Sequence, residues 1–187
     1  MSSYRRMVGK TLPAFNAIIS ASGGPLDLSA YTVKFQMNQY KSTTVVVAET
    51  ASHITVHPTQ AFTADATTNL ITCVGHGVKE GNQLVLATSS ALPGGLATAT
   101  RYFPIQVGDN TFALAATAKG PAIDITSAGT GTHTFYIVGS VQYAPQAADV
   151  ANAGMYSAWF TAYSGSDGLA APVAQEGIEV QILAFGA

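Results

Sequence analysis

The sequence predicts an all-β protein, and three observations predict it. Helical periodicity is nearly absent, whereas apolar and polar residues alternate with the two-residue period of a strand. The alternating stretches are short, and clusters of Gly, Pro, Asn, Asp and Ser separate them. β-Branched and aromatic residues, which suit a pleated and half-buried surface, concentrate inside them.

The first strand candidate is Phe15-Asn16-Ala17-Ile18-Ile19-Ser20, closed by the turn Ser22-Gly23-Gly24-Pro25. Residues 31–38 alternate most cleanly, with Tyr31, Val33, Phe35 and Met37 on one side and Thr32, Lys34, Gln36 and Asn38 on the other. That is the pattern of a strand with one face on a core and one in water. Residues 43–48 are β-branched and strand-like. Towards the C-terminus, residues 139–143 form a short strand, and residues 147–153 hold one helical turn. Residues 155–163 are apolar on both faces and therefore read as a central strand. Residues 164–168 are a turn, and residues 177–182 are the last strand, with Ile178, Val180 and Ile182 inward.

The middle of the chain, roughly residues 62–136, is richer in Thr, Ala and Gly. Its strands are expected at 69–74, 82–87, 101–107, 111–115 and 132–138. Turns at Gly75-His76-Gly77, Leu92-Pro93-Gly94-Gly95, Gly108-Asp109-Asn110 and Ser127-Ala128-Gly129-Thr130-Gly131 separate them. Short strands at this spacing predict a small barrel or sandwich. The pieces on either side are each too small to bury a core alone. The expected organisation is one β-sandwich built from 1–58 and 137–187, with a second β domain, 59–136, inserted into it.

Composition restricts the functions. Charged residues are 10% of the chain, against about 25% in ordinary domains, while hydrophobic residues are 48%. The surface is therefore left to Ser, Thr, Gln, Asn, Ala and Gly, which suits a protein in standing contact with neighbours. The net charge of −2 gives no footprint for nucleic acid. No apolar run is long enough for a membrane helix, and no signal peptide is expected at Met1-Ser2-Ser3-Tyr4-Arg5-Arg6. Five residues stand out for an interface. Arg5 and Arg6 form a small basic cluster, Tyr40 is expected to be exposed, and Leu183 and Phe185 belong to an apolar C-terminal end.

No constellation for catalysis, a cofactor or a metal emerges. His53 and His57 are spaced as two ligands would be on a helix, but their β-branched surroundings favour a strand. There, residues four apart lie about 13 Å from each other, so both are read as exposed histidines of a connecting strand. His76 is read as a turn residue. Gly129-Thr130-Gly131 ahead of His133 lacks the lysine and the helix of a phosphate loop. Cys73 is the one cysteine and sits in an apolar stretch, so it is expected to be buried. Trp159, Tyr156 and Tyr163 would make a sugar-binding platform if exposed, but their strand has the pattern of a buried one.

Two stretches carry resemblances. Ser22-Gly23-Gly24-Pro25-Leu26-Asp27-Leu28-Ser29-Ala30, followed by the alternating Tyr31 to Met37, resembles the start of the N-terminal immunoglobulin-like domain of the phage baseplate upper protein family. Gly139-Ser140-Val141-Gln142-Tyr143, Ala148-Asp149-Val150 and Ala153-Gly154-Met155-Tyr156-Ser157-Ala158-Trp159-Phe160 resemble its later elements. The middle unit is similar to a repeat common in phage tail and fibre proteins. It carries Gly75-His76-Gly77, Leu92-Pro93-Gly94-Gly95-Leu96, Phe112-Ala113-Leu114-Ala115, Ala122-Ile123-Asp124-Ile125-Thr126 and Gly129-Thr130-Gly131-Thr132-His133-Thr134 in that order.

The resemblances imply an immunoglobulin-like β-sandwich with an inserted β domain, in a non-enzymatic structural protein of a tailed bacteriophage virion, at the tail or baseplate. The implied partners are other virion proteins and further copies of the chain. A capsid decoration or head–tail junction protein is the alternative place in the particle. A carbohydrate-binding module that contacts a host-surface glycan is the alternative class.

Overall fold

The structure is a computed structural model that describes residues 2–7, 14–48, 51–164 and 172–183. Among them are sixteen strands. In chain order these begin with β1 (Ser2–Met7), β2 (Phe15–Ile18), β3 (Ser20–Ala21), β4 (Gly24–Pro25), β5 (Tyr31–Gln39), β6 (Val45–Val47), β7 (Ile54–Val56) and β8 (Gln60–Asp65). There follow β9 (Leu70–Thr72), β10 (Leu84–Thr88), β11 (Arg101–Ile105), β12 (Thr111–Ala115), β13 (His133–Ile137), β14 (Ser140–Tyr143), β15 (Gly154–Ser164) and β16 (Pro172–Leu183). Three short 3-10 turns, at Leu28–Ala30, Ala51–His53 and Ala147–Val150, complete the regular structure. The protein is all-β.

The chain divides into two compact units, Met1–His57 with Gly139–Ala187, and Pro58–Val138. The first unit is a sandwich. Its larger sheet has the order β1-β16-β15-β5-β6, and its smaller sheet the order β2-β14-β7. All neighbours are antiparallel except β1, which runs parallel to β16. Strand β15 is central in the larger sheet, as its two apolar faces predict. Along β5 the expected alternation holds, since Val33, Phe35 and Met37 are buried while Lys34, Gln36 and Asn38 are only half-buried. Phe35 stacks on Tyr143 of the smaller sheet with ring centroids 4.0 Å apart, and Phe15 and Phe160 flank it at 5.9 and 5.0 Å. Burying each such ring contributes about 1.5–3 kcal/mol, so this aromatic column holds the two sheets face to face.

The second unit is a closed barrel of order β10-β11-β12-β9-β8-β13. Phe62, Ile71, Leu84, Leu86, Phe112, Leu114 and Phe135 fill it. Closure leaves no free strand edge. The sequence indicates five of its strands; the sixth, β8, is Gln-Ala-Phe-Thr-Ala-Asp, in which Phe62 is the one large apolar side chain. An alternation this faint gives almost no periodic signal. The barrel also depends on a close approach between two loops. Ala91 and Thr130 exchange backbone hydrogen bonds at 3.2 and 2.8 Å. Gly129 lies here at φ +76°, where an added Cβ would meet the Ala91 carbonyl oxygen at 2.6 Å.

Candidate interaction surface

Strand β15 decides what the larger sheet offers to its surroundings. Tyr156, Ala158, Phe160 and Ala162 point into the core, and the alternate residues Met155, Ser157, Trp159, Thr161 and Tyr163 line the outer face. Tyr156 is thus in the core, 3% exposed, and its hydroxyl donates to the Asn152 carbonyl at 3.0 Å. Trp159 and Tyr163 are half-buried on the other face. The three aromatic residues therefore form no common platform, and the expectation that Trp159 is buried is corrected to half-buried. Trp159 stands opposite Gly177 and Gln36 in the sheet register. Tyr163 carries the Lys34 ammonium 5.2 Å above its ring. These residues support the sheet.

At one end of the same sheet the pattern changes. Tyr40, Val45 and Met155 are 42%, 48% and 52% exposed. They are held together by the backbone. Tyr40 N–H donates to Met155 C=O at 2.9 Å, Gln39 N–H donates to Thr44 C=O at 3.1 Å, and Val45 pairs with Asn38. The register extends this cluster across the sheet, because Met155 pairs with Gln181, and Gln181 with Arg5. Arg6 and Leu183 follow immediately, paired with Ile182 and Met7. From Arg5 to Tyr40 the row crosses three strand spacings, about 14 Å. The backbone therefore brings four of the five interface candidates, Arg5, Arg6, Tyr40 and Leu183, to one end of one sheet. Phe185 lies outside the described residues. Val45 and Met155 were not singled out from the sequence, because exposure on a strand end depends on the neighbouring strand, which the sequence does not name.

The histidines have structural roles. His53 ends a 3-10 turn instead of lying in a strand, and both His53 and His57 are half-buried, which corrects their reading as exposed strand residues. His57 has a left-handed backbone, φ +51°, and its Nε2 accepts a hydrogen bond from Gly139 N–H at 3.3 Å. Burial lowers its pKa below the ordinary histidine value, partly opposed by the negative charge of Asp27. His76 is buried against Phe112, and its Nδ1 accepts from Val78 N–H at 2.9 Å. That bond fixes the neutral tautomer with the proton on Nε2. His133 is buried too, set between Thr88 Oγ1 at 3.0 Å and Ala128 O at 3.2 Å. Cys73 is buried as expected, and burial raises its thiol pKa. Among the described residues, no group of three or more His, Cys, Asp or Glu side chains stands together to hold a metal ion, and no helix is long and apolar enough to cross a membrane.

The carboxylates that the sequence assigns to bends act there. Asp27 Oδ1 accepts from Ser29 N and Ser29 Oγ at 3.1 and 2.6 Å. Asp149 Oδ2 accepts from Gln146 N at 2.7 Å and from the Tyr143 hydroxyl at 2.8 Å. No protein-family model, curated protein or solved structure matches the chain.

Proposed function

We propose that this chain is a structural protein of a tailed bacteriophage particle, associated with the tail or baseplate and acting by assembly with neighbouring subunits. The observation that carries the reading is the row at the end of the larger sheet. There, the exposed Tyr40 and Met155 lie in register with Arg5, and the exposed Val45 stands beside that row, paired with Asn38. Exposed apolar side chains gathered at one end of a sheet have the chemistry of a contact surface. A chain with only 10% charged residues does little to keep such a surface in solution. The immunoglobulin-like pattern of the flanking pieces and the tail-protein pattern of the barrel point to the same setting. Symmetric repetition of a modest contact then supplies the affinity. The buried position of Tyr156 takes it out of a sugar-binding platform with Trp159 and Tyr163, so assembly is the reading preferred.

The test is incorporation. Particles are assembled with Tyr40→Glu and Met155→Glu copies, and the protein is quantified in purified particles. Loss of one well-buried contact residue costs about 2 kcal/mol or more, so incorporation is expected to fall at least about tenfold, with the circular dichroism of the free protein unchanged. Undiminished incorporation of both variants would remove this surface from assembly.

A further inference from the structure

We propose that His57 is a proton-operated latch at the place where the chain leaves the first unit and returns to it, closed by the neutral ring and opened by protonation. The chain departs at His57 and re-enters at Gly139, and two hydrogen bonds tie these strand ends together. His57 N–H donates to Ser140 C=O at 2.9 Å, and Gly139 N–H donates to His57 Nε2 at 3.3 Å. An Nε2 that accepts carries no proton, so the neutral ring has its proton on Nδ1. The doubly protonated ring has no acceptor, so protonation and the Gly139 bond exclude one another.

The position has little slack. His57 is a non-glycine residue at φ +51°. Gly139 sits at φ +78°, where a Cβ would meet Ile19 O at 2.6 Å, and its carbonyl accepts from Ile19 N–H at 2.8 Å. Release of Gly139 N–H therefore loosens a three-way junction of β7, β14 and the end of β2.

The groups around His57 set the direction. Asp27, ahead of the first 3-10 turn, favours the charged ring, and burial opposes it more strongly. Strand β2 has no ionisable side chain. Strand β14 offers only Tyr143, whose hydroxyl bonds Asp149. Lys34 of β5 lies on the outer face of its sheet, and His53 stands at the far end of β7 against Tyr143 and Gln146. Because the folded pKa lies below the unfolded value of 6.5, the unfolded chain binds more protons in the window between them. The stabilising effect is complete above the unfolded value and is lost as pH falls through the folded one.

The test is amide hydrogen exchange of Gly139 in the intact chain at pH about 7.5 and about 5, on either side of the histidine range. The Phe160 amide serves as reference for the stability of the first unit. Gly139 protection, relative to Phe160, is expected to fall on acidification. In His57→Gln, whose amide oxygen accepts the same bond and does not titrate, it is expected to stay constant. Equal relative protection at both pH values in the natural chain, or an equal acid loss in His57→Gln, would overturn the latch. If the variant does not fold, the ring nitrogens of the natural chain decide by NMR. A proton on Nδ1 at neutral pH, and a ring titration that coincides with the Gly139 amide shift, support the latch; a proton on Nε2 refutes it.

Discussion

At the residue scale, the most informative side chains are the polar ones in or beside the core. Asp149 receives both Gln146 N–H and the hydroxyl of Tyr143, whose ring lies at the centre of the sandwich. Replacing it with alanine takes two charge-assisted bonds from this bend. Asp149→Ala is expected to destabilise the first unit by about 1–3 kcal/mol, seen as a shift of its urea midpoint at constant slope; an unchanged midpoint would show that the bend does not depend on the carboxylate. Residue roles of this kind were partly legible in the sequence. Asp27 and Asp149 were readable as bend residues because a short acidic side chain ahead of a turn bonds amides a few residues away. The burial of His76 and His133 was not. Glycines or threonines flank both, and only the ring contacts of Phe112 with His76 and of Phe62 with His133 show that the imidazoles face inward.

At the scale of elements, strands with strong alternation or long apolar runs were found, and weak ones were not. Strand β5 announces itself with Val33, Phe35 and Met37 at period two, and β15 with apolar residues on both faces, whereas β8 rests on Phe62 alone. Stretches 43–48 and 69–74 shrink to the three-residue strands Val45–Val47 and Leu70–Thr72, although their neighbours β5 and β8 run on past them, because how far two strands stay paired is not set by the local pattern of either. Val74 shows the same, being 83% exposed despite its apolar context. The loop pairing of the barrel has its own test. Gly129→Ala places a Cβ against Ala91 O in a left-handed backbone. A misplaced alanine of this kind costs more than about 1 kcal/mol. The barrel is expected to unfold at lower denaturant, with the Ala91 and Thr130 amides losing protection first. An equally stable Gly129→Ala would mean that the two loops part at no cost.

At the scale of the whole molecule, two hydrophobic cores on one chain predict two separable responses. Phe35 touches Phe15, Tyr143 and Phe160, all in the first unit. Phe35→Ala is expected to cost about 3–5 kcal/mol there and to leave the barrel transition in place, read from near-ultraviolet and amide-exchange probes that respond to each unit separately. A single transition displaced as one would contradict independent cores. The change of texture along the sequence, to a Thr-, Ala- and Gly-rich middle, follows this division, since each core draws on its own residues. The candidate surface was legible only in part. Tyr40, Arg5, Arg6 and Leu183 could be named from composition and position, but that they come to one end of one sheet follows from the parallel pairing of β1 with β16, which no local pattern encodes. The central claim, a place in a virus particle, is tested most directly by immunogold labelling of purified, intact phage particles with an antibody against this chain. Label is expected at the tail, concentrated at its distal end. Label confined to the head or neck would move the protein to capsid decoration or connection, and particles that carry neither label nor the protein by mass spectrometry would remove the chain from the virion.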